Sequence, residues 1–227
     1  GDRDPVAMFD VNTKATIDIS VAAARHCRAI ILTGSMSEYA LGTAACPLRE
    51  DAPPETRRLY GASKAAGTVS GLAIAAATDL PALALRLFNV YGPGEAPHRL
   101  IPSLVSRLRR GERVPLSPGD QLRDFVFIDD IVDAYVAAAA RLARRGASAA
   151  LNICTGRPVS VRDLAMRVAA RYGCDPSLLG FGDLAYRPDD VMEAYGAPDA
   201  AAAEIGWRAR RTIDDAIDAI HRRDIAA

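Results

Sequence analysis

The stretch "LYGASKAAG", residues 59–67, sets Tyr60 and Lys64 one helical turn apart. The chain carries 28 basic residues, and only Lys14 and Lys64 among them are Lys. Residues at i and i+4 share a helix face, so the phenol and the ammonium can reach one cleft. A free phenol has a pKa of about 10, too high for a base at neutral pH. A nearby ammonium favours the phenolate, which lets Tyr exchange a proton with a substrate hydroxyl or carbonyl. Lys suits this task better than Arg, being a compact charge with three donors that can also hold a cofactor ribose. The alternative is a surface Tyr and a solvated Lys. Random shuffling of this composition yields such a pair in roughly six per cent of cases, so the pair alone does not decide.

A second hydroxyl stands upstream. "AIILT" (29–33) is a short β-branched apolar run and reads as a buried strand. "LTGSMSEYA" (32–40) ends it, where α/β proteins place ligand sites. Ser35 at that end can hydrogen-bond the same substrate oxygen as Tyr60, although Ser is also a common turn residue.

The elements that must position these groups follow from periodicity. Residues 11–28 carry Ile17, Val21 and Ala24 at helical spacing, and 59–77 form a second helix with a face of Ala65, Ala66, Val69, Leu72, Ala73 and Ala76. Between them lies a loop of about 25 residues, long enough to be functional. "ALALRL" (82–87), "RDFVFI" (123–128) and "ALNIC" (150–154) read as strands, and "FNVYGPGEAPHR" as a loop. Helices are expected at 100–111, closed by Gly111, at 129–146, after Ser160, and after Thr212. Strands alternating with amphipathic helices predict an α/β fold with a parallel sheet covered on both faces.

At 227 residues the chain allows one large domain or one and a half. Its net charge is zero by formal count, which gives no reason to expect nucleic acid or an anionic membrane. No apolar run approaches a membrane span and no signal-peptide pattern opens the chain. Four scattered cysteines and three distant histidines suggest neither a disulfide framework nor a metal site. Buried thiols and a cytoplasmic compartment are expected. The opening "GDRDPVAMFDVN" has no initiator Met and reads as a cut edge.

Ser35, Tyr60 and Lys64 together resemble the catalytic triad of the short-chain dehydrogenase/reductase superfamily. The wider match is to its extended branch, the NAD-dependent epimerase/dehydratase family of nucleotide-sugar enzymes. "YGASKAAG" resembles that branch's Y-G-x-S-K helix, and "RLFNVYGPG" (86–94) its R-x-F-N-x-Y-G-P segment. "RDFVFIDDIVDAY" (123–135), "LNICTGRPVSVRDLA" (151–165) and "RPDDVMEAYGAPDAAAAEIGW" (187–207) resemble later segments in the same order.

The resemblance implies a Rossmann-like doubly wound sheet, incomplete in this chain, with a smaller C-terminal α+β substrate lobe. Residues 1–92 would be the C-terminal part of the dinucleotide-binding domain. Residues 93–227 would be mainly the substrate lobe, with further sheet elements around 123–155. Tyr60 would be the acid/base, Lys64 its electrostatic partner and ribose ligand, and Ser35 the second hydrogen bond. NAD, or NADP, would meet Asn12, Tyr60, Lys64 and Phe88. A nucleotide-diphosphate sugar would meet Asn89, Arg123, Arg187 and Asp190, the two Arg on its diphosphate. A homodimer through helices 11–28 and 59–77 is also implied.

The family's glycine-rich phosphate loop, G-x-x-G-x-x-G, does not occur in the sequence. It is therefore expected upstream, because strand 29–33 would otherwise present an apolar edge. The 4,6-dehydratases carry an Asp-Glu pair after the catalytic hydroxyl residue; here Met36 and Ser37 stand there, with Glu38 one position on. Epimerisation at C4 of the sugar is therefore the first expectation. Reduction of a 4-keto-6-deoxysugar, or a non-catalytic homologue that binds a nucleotide-sugar or a partner, are the alternatives.

Overall fold

The computed structural model describes residues 4–144 and 148–226. Its first helix comes in three pieces: α1 (Pro5–Phe9), a π-helical turn (Asp10–Lys14) and α2 (Ala15–His26). Strand β1 (Ile30–Ser35), helix α3 (Leu59–Ala77) and strand β2 (Ala82–Leu87) follow, and then β3 (Asn89–Tyr91) and α4 (Leu100–Arg109). Next come β4 (Val114–Leu116), β5 (Leu122–Arg123), β6 (Phe125–Phe127), α5 (Ile128–Ala143) and β7 (Ala149–Ile153). The chain continues through β8 (Val159–Ser160), α6 (Val161–Arg171), β9 (Leu179–Phe181), β10 (Glu193–Ala194), α7 (Asp199–Ile205) and α8 (Ile213–Ala226).

Three strands form a parallel sheet in the order β1-β2-β7. One face takes α2 and α3, where Ala23, Ala75, Leu80 and Ala82 bury together. The other takes α5, whose Ile131, Ala134, Ala138 and Leu142 close on Leu83, Leu85, Leu151 and Ile153. Cover on both sides explains why β2 is apolar without alternation over its first four residues. Among the described residues, the outer edge of β1 pairs with no strand.

A second core gathers α4, α6 and α8 through Leu104, Leu108, Leu164, Val168 and Ile217, with Tyr91 and Phe127 beneath them. Three small sheets frame it: β3 parallel to β6, β4 parallel to β9, and β5 between β10 and β8. The chain passes from the first layer into this lobe after β3 and returns to the first layer with α5 and β7.

Helix 59–77 and strand 82–87 form as the sequence pattern predicts. Ser160 caps α6 by accepting from the Asp163 N–H, and Thr212 exchanges hydrogen bonds with Asp215 before α8. Other expectations need correction. Asn89–Tyr91, taken as loop because Gly and Pro follow it, is a strand held by its parallel partner at 125–127. The run 123–128 breaks at Asp124 into two strands of different sheets. The expected tail of the helix at 129–146 reaches Arg145 and Gly146, which lie outside the described residues.

The helix faces also differ from expectation. Val21 and Val69 are exposed, and the buried seams are made of small residues: Ser20 and Ala23 on α2, Gly67, Gly71 and Ala75 on α3. The buried-thiol reading holds for Cys154, whereas Cys27 is exposed and Cys46 and Cys174 are half-buried. No described helix is long and apolar enough to cross a membrane.

The glycine seam sets how closely α3 approaches the π-helical turn and β1. A Cβ at Gly67 would lie 2.2 Å from the Asn12 carbonyl oxygen, and one at Gly71 would lie 2.6 Å from Leu32 Cδ1. Gly67→Ala is expected to destabilise the protein by about 1–3 kcal/mol, because overpacking outweighs the better helix propensity of Ala. Thermal unfolding checks this; an unchanged Tm would show that the helices have room to part.

Candidate active site

Ser35 ends β1 and caps a short 3-10 turn, Met36–Glu38. Its Oγ accepts from the Ser37 N–H at 3.1 Å, which leaves the hydroxyl proton free to be donated outward. Its own N–H donates to Glu38 Oε1 at 2.9 Å, completing a capping box. Helix α3 arrives against this turn. A Cβ at Gly61 would stand 2.1 Å from the Ser37 carbonyl oxygen, so only glycine permits the approach. Tyr60, immediately before Gly61, is thereby brought to the carboxyl end of β1.

Lys64 lies one turn further along α3. Its Nζ donates to the Thr33 carbonyl oxygen at 2.6 Å, two residues before Ser35. Tyr60 is 41 % exposed and its hydroxyl makes no hydrogen bond to the described residues. The phenol thus faces open space, while the ammonium rests on the strand end rather than on the phenol. The same turn of α3 is held from behind by the π-helical turn. Asn12 Nδ2 donates to Ser63 Oγ at 3.0 Å, and Thr13 Oγ1 donates to the Ser63 carbonyl at 2.8 Å. Helical π-turns of this kind recur at functional sites.

The substrate-side candidates approach from the second lobe. Asn89 Nδ2 donates to the Asp124 carbonyl at 3.1 Å and lies 3.7 Å from Met36 Sδ, so Asn89 abuts the Ser35 turn. Pairing of β5 with β10 sets Arg123 beside the loop that carries Arg187 and Asp190. Asp190 Oδ2 accepts from the Arg187 N–H at 3.1 Å and from Gln121 Nε2 at 3.3 Å. Arg123 bonds only the Leu122 carbonyl, and among the described residues it has no ion-pair partner. Burial pushes its pKa down, against the pull of the Asp190 charge. A half-buried guanidinium without a counter-ion is costly, and a bound phosphate would satisfy it.

The geometry and the sequence now meet a family. The model of the NAD dependent epimerase/dehydratase family matches residues 2–154. The chain belongs to that family. It is 37 % identical over 183 residues to the dTDP-L-rhamnose 4-epimerase of Burkholderia thailandensis, covering 78 % of this chain and 49 % of that one. It is 29 % identical over 233 residues to the dTDP-6-deoxy-L-talose 4-dehydrogenase (NAD(P)(+)) of Kitasatospora kifunensis, covering 92 % of this chain and 68 % of the relative. Among solved structures, MoeE5 in complex with UDP-glucuronic acid and NAD superposes with a TM-score of 0.84 at 32 % identity, over 95 % of this chain and 72 % of that one. The chain spans about half the length of the first of these relatives.

Two of the residues singled out in the sequence are buried. Phe88 is 2 % exposed, and its ring packs under Gly196, where a Cβ would be 2.6 Å from Phe88 Cζ. Its side chain belongs to the core beside Cys154. Glu38, one position past the dehydratase pair, turns inward. Its side chain is 0 % exposed and bonds Arg86 Nε at 2.9 Å.

Several residues that shape the site gave no signal of their own in the sequence. Arg58, which precedes α3, donates to Leu41 O and Glu55 Oε2 and reaches the Asp189 carbonyl at 3.3 Å, joining the Tyr60 helix to the Arg187 loop. Arg86 also donates to Tyr39 Oη, which in turn donates to Asn152 Oδ1. Burial holds the Tyr39 phenol up at about 12 despite the adjacent guanidinium.

Asp124 is the other hub. It accepts from the Thr155 N–H and hydroxyl on one oxygen, and from the Gly156 and Gly196 N–H groups on the other. It was visible only as the residue after Arg123. Burial pushes its pKa up, against those four donors. Asp124→Asn would set an amide N–H against backbone N–H groups and is expected to cost about 1–3 kcal/mol. Urea unfolding of the variant is the check, and wild-type stability would remove Asp124 from this role.

Proposed function

We propose that this chain carries the catalytic and substrate-binding part of a nucleotide-sugar 4-epimerase. The observation that carries the reading is the seating of the Tyr60–Lys64 turn of α3 on the residues that flank Ser35, Gly61 on the Ser37 carbonyl and Lys64 on the Thr33 carbonyl, while Met36 and Ser37 fill the dehydratase positions. The 37 % identity to a dTDP-L-rhamnose 4-epimerase supports the choice of carbon.

The cofactor is NAD, with NADP the alternative. The donor set at the strand end — a free phenol, a serine hydroxyl and an ammonium — suits the nicotinamide-ribose half of a dinucleotide. The pyrophosphate half calls for a glycine-rich loop, which is not in this sequence. NAD supplies the hydride acceptor and donor. Tyr60 takes the proton of the C4 hydroxyl and returns it, and Ser35 donates a hydrogen bond to the same oxygen. Lys64 orients the ribose and is the electrostatic partner of Tyr60 on the same helix face. Asn12 acts through Ser63 by fixing the first turns of α3.

Asn89 meets the sugar-nucleotide, Arg123 and Arg187 hold its diphosphate, and Asp190 reaches a ribose hydroxyl. An epimerase needs no further acid or base, only room for the keto-sugar to turn and take hydride on its other face.

The same groups serve a ketoreductase, a reading favoured by the similarity to a 6-deoxytalose 4-dehydrogenase. Solvent deuterium and cofactor stoichiometry separate the two. An epimerase incorporates no solvent label at carbon and consumes no reduced nicotinamide, whereas a reductase consumes one per product. Tyr60→Phe is expected to abolish turnover and leave nucleotide-sugar affinity within about twofold. Turnover retained in that variant would remove Tyr60 from its role. Nucleotide-sugar binding without any turnover in the intact protein would favour the non-catalytic reading.

A second copy of the chain is the proposed partner for helices 11–28 and 59–77. Ile19 and Val69, on these two helices, are 60 % and 62 % exposed. Val11 and Val21 are also exposed. Val69→Glu is expected to turn a dimer into a monomer in sedimentation equilibrium; a monomeric parent protein would refute the pairing.

A further inference from the structure

Glu38 is a fully enclosed charge beside the candidate site, and the chemistry above gives it no part. Its side chain is 0 % exposed. Oε1 accepts from the Ser35 N–H and from Thr68 Oγ1, each at 2.9 Å, and Oε2 accepts from Arg86 Nε at 2.9 Å. These donors come from the end of β1, the middle of α3 and the strand β2. Gly34 makes room for the carboxylate, since a Cβ there would be 2.7 Å from Oε1.

We infer that Glu38 is a positioning residue that fixes Ser35 against the helix row carrying Tyr60 and Lys64; this rests on the proposed roles of those three residues. Thr68 stands four residues after Lys64 and eight after Tyr60, so all three lie along one side of α3. Thr68 is 4 % exposed, and the Thr68–Glu38 bond is buried. The capping box fixes the rotamer and backbone of Ser35, and the bond to Thr68 fixes the helix to that cap. The other polar link between α3 and β1 is Lys64 on the Thr33 carbonyl. That link is exposed and is made by the ammonium expected to hold a ribose. Glu38 leaves the helix tied to the strand when Lys64 turns to a ligand.

Arg86 completes the arrangement from the sheet. Its guanidinium also bonds Tyr39 Oη and the Glu50 carbonyl, so it cannot follow the carboxylate if Glu38 shifts. A buried ion pair is by itself weak evidence for stability, but it is well suited to fix one geometry. A displacement of a reacting group by about 1 Å can cost about a hundredfold in rate.

The test compares Thr68→Val, which keeps the shape and loses the hydroxyl, with Thr68→Ser, which keeps the hydroxyl. Both are measured in the intact protein well below its Tm. Thr68→Val is expected to lower kcat about tenfold or more with KM within about threefold, and Thr68→Ser to restore kcat. Equal kcat in the two variants would overturn the inference, whatever their Tm values.

Hydrogen exchange at the Ser35 amide gives a readout that needs no turnover. Slow exchange in the parent and at least about tenfold faster exchange in Glu38→Gln supports the inference, because Gln has a single acceptor oxygen, the charged Arg86 claims it, and the amide NH2 is then set against the Ser35 N–H. Unchanged exchange overturns it. Should the parent turn over no nucleotide-sugar, the proposed function fails, and the exchange result alone decides the place of Glu38.

Discussion

Helix α3 lies closer to its neighbours than any side chain at three of its positions would allow. The Ser37 carbonyl occupies the space of a Cβ at Gly61, the Asn12 carbonyl that of a Cβ at Gly67, and Leu32 that of a Cβ at Gly71. Everything proposed for the site depends on this approach. It brings Tyr60 to the strand end that carries Ser35, and it lets Lys64 reach the Thr33 carbonyl. Glycine weakens a helix interior by about 1 kcal/mol relative to Ala. Here the loss is offset by backbone-to-helix packing that no larger residue can make.

Polar groups rather than apolar ones then fix the details. Where α3 meets the end of the sheet, the space beneath the 39–58 loop is filled by a hydrogen-bonded chain from Thr68 through Glu38, Arg86 and Tyr39 to Asn152. Asn152 continues it to the Leu48 carbonyl and, through its own N–H, to Glu50. A satisfied buried network specifies one arrangement, whereas an apolar filling tolerates several. Asp124 does the same on the substrate side, gathering the 155–156 turn and Gly196 around one carboxyl group. Between the two hubs lies Asn89, in reach of both Met36 and the Asp124 carbonyl.

Around the candidate site the charge balance is unequal. Glu38 and Asp124 are turned inward and saturated with donors, while Arg123 and Arg187 have no carboxylate in ion-pair reach among the described residues. The positive groups are thus left without a protein partner and the negative ones are closed into the frame. The Arg58 contact to the Asp189 carbonyl joins the two sides, so the loop that bears Arg187 and the helix that bears Tyr60 share a fastening.

The sequence by itself determined the alternation of strands and helices, the helix at 59–77, the strand at 82–87, and the candidate set of Ser35, Tyr60 and Lys64. These are local patterns: period, punctuation, and residue types whose chemistry is rare elsewhere in an Arg-rich chain. Small strands such as 89–91 and 193–194 escaped because two or three residues have no period, and only their partners in space make them strands. The buried faces of α2 and α3 were misplaced because glycine and serine seams carry no hydrophobic signal. The inward turn of Glu38, the burial of Phe88 and the hub at Asp124 were settled by tertiary structure alone. A buried carboxylate or ring takes its meaning from groups distant in sequence, here 72 residues away for Asp124 and Gly196 and further still for Phe88 and Gly196, and no spacing along the chain encodes that proximity.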